Sequence, residues 1–286
     1  MTALSFVKMS GAGNDFVIFD ARKNPLHFST QQIAKICNRK IIGCDQLIIL
    51  KNFHPHPNLL PQEESELFAD CLMEIYNADG STSATCGNAT RCVASILMNE
   101  KNLNEVKIKT AAAILKCWRN GDLISVDMGI PNFDWQKIPL AEKKDPQKIS
   151  LFGFDFSCVN VGNPHAVTFI TKPLTDEKFF EIAPKISFHK IFPKQANVEF
   201  AEILSDDLIA VRVFERGAGE TLACGSGACA VGILAIKNNL TKSKKITTRF
   251  KGGDLQIEWN GEGSSVIMTG GYEKHFDGAI DADFFK

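Results

Sequence analysis

Several things are missing from this sequence of 286 residues, and each absence removes a class of protein. No Cys-x-x-Cys occurs among its nine cysteines, which argues against a structural zinc centre or a thioredoxin-like site. No apolar run reaches the roughly 18–20 residues that a membrane helix needs. No stretch gathers the lysine and arginine density of a nucleic-acid face, and the net charge is only −1. The first residues lack a charged segment followed by an apolar one, so no export signal is expected. Gly217-Ala-Gly-Glu is not followed by the Lys-Ser/Thr of a phosphate loop, nor does it have dinucleotide-loop spacing. Nothing resembles a pyridoxal-phosphate lysine with its phosphate cup, so no cofactor is expected, and neither is a metal. What remains is an ordinary globular composition, 44% hydrophobic and 23% charged, long enough for two domains. Nine cysteines without an export signal point to a reducing, cytoplasmic setting. Cys37, Cys44, Cys71, Cys117 and Cys158 stand singly and read as small buried hydrophobes.

Short β-branched or aromatic stretches punctuated by glycine turns predict strands at 16–20, 46–50, 72–76, 106–110 and 123–128. Others are expected at 158–161, 166–170, 198–203, 208–214, 246–250, 255–259 and 265–268. A helix is expected over 30–39. Residues 53–66, with Pro55, Pro57 and Pro61, read as an inserted loop, and 131–148 as a connection between two halves.

The informative feature is an internal echo. Tyr76-Asn-Ala-Asp-Gly in the first half leads to Cys86-Gly-Asn, and Phe214-Glu-Arg-Gly-Ala-Gly in the second leads to Cys224-Gly-Ser-Gly. The two cysteines are 138 positions apart, as are Asn77 and Glu215. A second echo pairs Gly13-Asn14 with Gly162-Asn163 at an offset of 149. Behind Cys86, the apolar residues Ala89, Cys92, Val93, Ile96 and Leu97 follow helical spacing. Behind Cys224 the same register gives Gly227, Ala230, Val231, Leu234 and Ala235, with Ala228, Cys229 and Ile233 making that helix apolar nearly all round and therefore buried. Each half reads as sheet wrapped around a central helix.

A helix N-terminus carries free N–H donors and partial positive charge, which binds a carboxylate and lowers the pKa of a thiol placed there. Two such ends related by a repeat suit inversion at an amino-acid α-carbon, with a base on one face and an acid on the other. The carbanion needs support at the carboxylate, and the helix ends supply it.

These residues resemble the diaminopimelate epimerase family. Lys8-Met-Ser-Gly-Ala-Gly-Asn-Asp-Phe-Val, Gly43-Cys-Asp-Gln46, Asn77-Ala-Asp-Gly-Ser, Cys86-Gly-Asn, Gly162-Asn-Pro-His165, Asn197-Val-Glu and the run from Glu215 to Gly227 fit its pattern in order. The resemblance spans Lys8 to about Gly271. It implies an α/β (α+β) fold of two pseudo-symmetric domains, each a β-barrel-like sheet around a central helix, with the active site in the cleft between them. The implied division is 1–127 with 270–286, carrying Cys86, and 128–269, carrying Cys224. The implied activity interconverts LL- and meso-2,6-diaminopimelate, a step towards lysine and peptidoglycan precursors, on a small amino-acid substrate and without nucleic acid or membrane. A homodimer is among the oligomeric states left open.

Carried over position by position, Cys86 and Cys224 resemble the acid–base pair. Asn14, Asn77, Asn163, Asn197 and Arg216 resemble a clamp on the distal end of the substrate. Gly87, Asn88, Gly225 and Ser226 resemble donors around the reacting carboxylate, Gln46 a further substrate contact, and His165 and Glu215 side chains beside the reacting centre. The chain departs from the family pattern at Ala89-Thr90, at Ala111–Ala113 after Thr110, and at 193–196. Rival readings are another cofactor-independent amino-acid racemase of the same fold, a cysteine-pair redox switch, and a non-catalytic amino-acid binder.

Overall fold

A computed structural model describes residues 3–54 and 68–285, so most of the expected insertion at 53–66 lies outside the described residues. The chain divides into two compact units, Met1–Val126 with Gly271–Lys286, and Asp127–Gly270.

In the first unit, β1 (Leu4–Gly11) forms a hairpin with β2 (Asn14–Asp20), and α1 (Thr30–Cys37) crosses over to β3 (Gln46–Lys51), which pairs parallel with β2. Ser29 and Gln32 close a capping box at the start of α1. Its buried Ile33, Ile36 and Cys37 pack on Val17, Phe19, Leu47 and Ile49, which share one face of β2 and β3 by the two-residue period. Each such full burial contributes roughly 1.5–3 kcal/mol relative to exposure. The alternate residues Phe16, Ile18 and Ile48 are equally buried, so β2 and β3 are covered on both faces. β4 (Cys71–Asn77) runs antiparallel to β3 and turns into the short β5 (Thr82–Ser83). The buried helix α2 (Gly87–Lys101) then leads to β6 (Glu105–Lys109), parallel to β4, and the meander β7 (Ile114–Asn120) and β8 (Leu123–Asp127). β18 (Glu273–Ile280) returns from the C-terminus to pair with β1.

The second unit repeats this path. β9 (Ile149–Leu151) flanks β10 (Phe154–Asn160), which forms a hairpin with β11 (Pro164–Ile170). α3 (Asp176–Ser187) crosses over to β12 (Asn197–Ser205), parallel to β11, and β13 (Leu208–Glu215) follows antiparallel with the short β14 (Gly219–Glu220). α4 (Gly225–Lys237) precedes β15 (Lys245–Phe250), parallel to β13, and β16 (Gly253–Trp259) and β17 (Val266–Gly270) complete the meander. α4 packs against β10–β13 and β15–β17, and every residue from Gly225 to Ala235 is buried. Its middle fits closely against the sheet: a methyl at Gly232 would sit 2.7 Å from Ile257 Cγ2.

The repeat therefore extends well beyond the two cysteine motifs. β1–β8 correspond to β10–β17, α1 to α3 and α2 to α4, with β18 and β9 as unmatched additions at equivalent edges. In both units the parallel register aligns the second-strand and third-strand echoes, Phe16 with Gln46 and His165 with Asn197. Three details differ from expectation. α1 stops at Cys37 because Asn38 leaves the helix in extended backbone. Segment 131–148 carries Ile138 and Leu140 into a core with Phe156, Phe179 and Phe192, so it is anchored rather than a bare connection. β1, β5, β7, β9, β14, β18 and α3 are additional elements. No helix among the described residues is long and apolar enough to cross a membrane.

Candidate active site

Both echoed cysteines are helix caps. Cys86 has extended backbone (φ −151°), and its sulfur accepts from the Ala89 N–H at 3.5 Å. Cys224 (φ −126°) accepts from the Gly227 N–H at 3.3 Å. Each thiol thus occupies the place usually taken by a serine or aspartate oxygen, at the positive end of a buried helix dipole.

In the first unit, Asn14 opens β2 and is held by its neighbour. Asp15 exchanges bonds with Asp45: its main-chain N–H donates to Asp45 Oδ2 at 3.0 Å, and the Asp45 N–H donates to Asp15 Oδ1 at 2.9 Å. Arg39 grips both oxygens of Asp15 at 2.6 and 2.8 Å, and Lys8 Nζ meets Oδ2 at 2.5 Å and also donates to the Gly43 carbonyl. Burial alone would raise the Asp15 pKa, but the Arg39 and Lys8 bonds outweigh it and hold the carboxyl well below the usual range. The network ties the start of β2, where Asn14 stands, to Asp45, the residue before Gln46.

Gln46 Nε2 donates to Asn77 Oδ1 at 2.9 Å, while Gln46 Oε1 is buried with no partner among the described residues. Asn77 Nδ2 donates to Ser81 Oγ at 3.0 Å, in a turn whose Gly80 has φ +83°. A methyl at Gly80 would lie 2.4 Å from Thr30 Cγ2, so both conformation and space require glycine. Beyond Cys86, Asn88 Oδ1 accepts from the buried Arg91 at 3.0 Å, which leaves the Asn88 amide N–H₂ group as the donor end. Where the chain departs from the family pattern at Ala89-Thr90, the Thr90 hydroxyl donates to the Cys86 carbonyl at 2.8 Å, in addition to the helical N–H bond.

In the second unit, a denser constellation surrounds Cys224. His165 is fully buried: its Nδ1 lies 2.7 Å from Glu199 Oε1, and its Nε2 lies 2.9 Å from Asn163 Oδ1 and 3.4 Å from Asn197 Nδ2. Asn197 Oδ1 accepts from the Arg216 main-chain N–H at 2.9 Å, and Arg216 Nη1 donates to the Lys194 carbonyl at 3.1 Å, in the atypical 193–196 run. Glu215 Oε1 accepts from the Thr221 hydroxyl at 2.5 Å, and Glu215 is also hydrogen-bonded to Cys224. Ser226 Oγ lies 3.4 Å from Cys224 Sγ. Asn163, His165, Asn197, Glu215, Arg216, Cys224 and Ser226 thus come together. In the first unit Gln46 and Asn77 bond directly, and Gly87 and Asn88 follow Cys86 at the start of α2.

One sequence expectation is corrected here. A thiol at a helix start was expected to have a lowered pKa. Burial pushes the Cys224 thiol well up instead, helped by the Glu215 and Glu199 carboxylates, and the bonds from Ser226 and Gly227 do not compensate. Burial likewise raises Glu215. Burial thus opposes the helix-end effect at Cys224. Sequence reasoning also missed Glu199 and Thr221 as parts of this constellation, and Asp15 as the centre of the first unit's network. Glu199 had a legible signal, because it stands two residues after Asn197 on the same strand face.

Two topologically matched units, each with a cysteine capping a buried helix, define a class by fold, one found in solved structures that include a hydroxyproline epimerase and a probable proline racemase. A hydroxyproline epimerase from Agrobacterium vitis, solved with bound trans-4-hydroxy-L-proline, superposes with a TM-score of 0.65 over 98% of this chain and 93% of its own, at 15% identity, a likeness of fold alone. Within that class the chain belongs to the diaminopimelate epimerase family, a family of isomerases, whose model matches residues 6–133 and 157–275. A diaminopimelate epimerase of Rhodospirillum centenum is 41% identical over 96% of this chain and 91% of its own length. One from Acidiphilium cryptum is 41% identical over 98% and 97%.

Proposed function

We propose that the protein interconverts LL- and meso-2,6-diaminopimelate by proton transfer at one α-carbon, with Cys86 and Cys224 as the acid–base pair. The observation that carries this reading is the matched pair of thiol-capped helices. Inversion requires a proton to leave one face of the carbon and another to arrive at the opposite face. A single thiol cannot serve both faces, whereas one from each repeat can. One cysteine, as thiolate, removes the α-proton from one face, and the other, as thiol, delivers its proton to the opposite face of the resulting carbanion; in the reverse direction the roles exchange. Proton transfer by a positioned group typically contributes about 10²–10⁴-fold in rate.

The carbanion is supported at its carboxylate by the N–H groups of Gly87 and Asn88 on one helix and Gly225 and Ser226 on the other, so the reaction needs neither cofactor nor metal. Asn14, Asn77, Asn163, Asn197 and Arg216 hold the distal amino-acid group, and Gln46 makes a further substrate contact. Gln46 Oε1, without a partner among the described residues, is an acceptor suited to an ammonium N–H, and the exposed guanidinium of Arg216 suits a carboxylate. His165 and Glu215 stand beside the reacting centre. The same reading places the enzyme in the cytoplasm, where nine free cysteines stay reduced, and accommodates a homodimer.

Incubation of the purified protein with LL-diaminopimelate, followed by chiral chromatography, tests the proposal. Approach to an LL/meso equilibrium without added cofactor is expected, and an unchanged LL pool with correctly folded, reduced protein would refute it.

A further inference from the structure

Glu199 is a carboxylate that the acid–base chemistry leaves unused. It is fully buried on β12, and its Oε2 has no hydrogen-bond partner among the described residues. An unsatisfied buried carboxylate oxygen is costly, so its retention calls for a reason. Its other oxygen lies 2.7 Å from His165 Nδ1. A carboxylate only accepts, so this contact places a proton on Nδ1. The opposite ring nitrogen, Nε2, lies between Asn163 Oδ1 at 2.9 Å and Asn197 Nδ2 at 3.4 Å. Both amides belong to the clamp assigned above, and Asn197 also holds the Arg216 main chain at 2.9 Å. The start of α4 is shaped around the same carboxylate, since a methyl at Gly227 would come within 2.8 Å of Glu199 Oε1.

We infer that Glu199 is a positioning residue: it fixes the His165 ring, whose Nε2 edge in turn orients the Asn163 and Asn197 amides that receive the distal end of the substrate. The inference rests on the proposed clamp. In a second arrangement, Glu199 would simply fill space beneath α4, with no influence through the ring. The two differ in whether its effect passes through Nε2.

A double-mutant cycle separates them. Glu199→Gln keeps the size of the side chain and removes its charge. His165→Asn keeps a donor for Glu199 but lacks the arm that reaches the two amides. In otherwise native protein, Glu199→Gln is expected to lower kcat/KM by about tenfold or more, chiefly through KM, the scale of one charge-assisted hydrogen bond. In the His165→Asn background the same change is expected to have almost no further effect on KM. An equal loss in both backgrounds, or a loss confined to thermal stability, overturns the inference while leaving the clamp intact. A His165→Asn enzyme with native KM and kcat would show that His165 does not orient the two amides, and would overturn the inference. Should Glu199→Gln fold poorly, Glu199→Asp, which retains the charge but withdraws it from Nδ1, is expected to raise KM in native protein only; a native KM would overturn the inference.

Discussion

Substituting Gly227 by alanine places one methyl at the start of α4, and its consequences can be worked out from neighbouring atoms. The new Cβ would lie 2.8 Å from Glu199 Oε1, 3.3 Å from Cys224 Cβ and 3.4 Å from Cys224 Sγ. Alanine by itself would stabilise a helical position by up to about 1 kcal/mol. Glu199 cannot give way freely, because it is buried and its Oε1 is held 2.7 Å from His165 Nδ1. Moving it forfeits a charge-assisted hydrogen bond of roughly 1.5–3 kcal/mol. The net expectation is a destabilisation of about 0.5–2 kcal/mol, read as a lower urea midpoint, with a fall in kcat/KM. Gly232→Ala is the control. Its methyl would meet Ile257 Cγ2 at 2.7 Å and Cβ at 2.9 Å, two helical turns from the cap, so overpacking of about 1–3 kcal/mol acts on stability while kcat/KM stays close to native. A Gly227→Ala enzyme with native stability and native kcat/KM would refute the reasoning, because it would mean that Glu199 and Cys224 are not held where the structure places them.

Removal of Cys86 or Cys224, each to alanine, should abolish detectable epimerisation with the fold retained by circular dichroism, and the double mutant should be no worse than either, as expected for groups that act as one unit. Asp15→Asn should lower stability at neutral pH by about 2 kcal/mol, since it leaves the buried Lys8 without its carboxylate. The sign with pH follows from the depressed pKa: Asp15 contributes fully above its unfolded value near 4, and the contribution is lost as pH falls towards the folded one. Urea midpoints measured from pH 6 downward should therefore converge for native and Asp15→Asn protein, and a constant gap would contradict the role given to the Lys8–Asp15–Arg39 network.

Much of the fold was legible because the repeat carries local signals. The two Cys-Gly steps announced the helix starts, and the apolar runs at Phe16–Phe19 and Leu47–Leu50 announced strands. β18 was not legible. Its residues Glu273–Asp277 are exposed, and it exists through pairing with β1 at the far end of the chain, where Gly278 admits the Phe6 ring. β1 was obscured by Lys8, a lysine buried through its carboxylate and carbonyl partners rather than by an apolar pattern. At the candidate site, residue identities were legible from the motifs, but their electrostatics were not. The helix dipole at Cys224 is local and visible in sequence, whereas the burial and the two carboxylates that reverse the expected shift come from β12 and β13.

The central claim, that two separate thiols act on one carbon, is tested most directly by the fate of the α-proton in heavy water. Starting from LL-diaminopimelate, proton NMR of both pools during the first turnovers should find deuterium at the inverted carbon of the meso product and almost none in the remaining substrate. One thiol would have taken the substrate proton while the other delivered one already exchanged with solvent. Early product that keeps the original α-proton would contradict the account, because a single group would then have carried that proton from one face to the other.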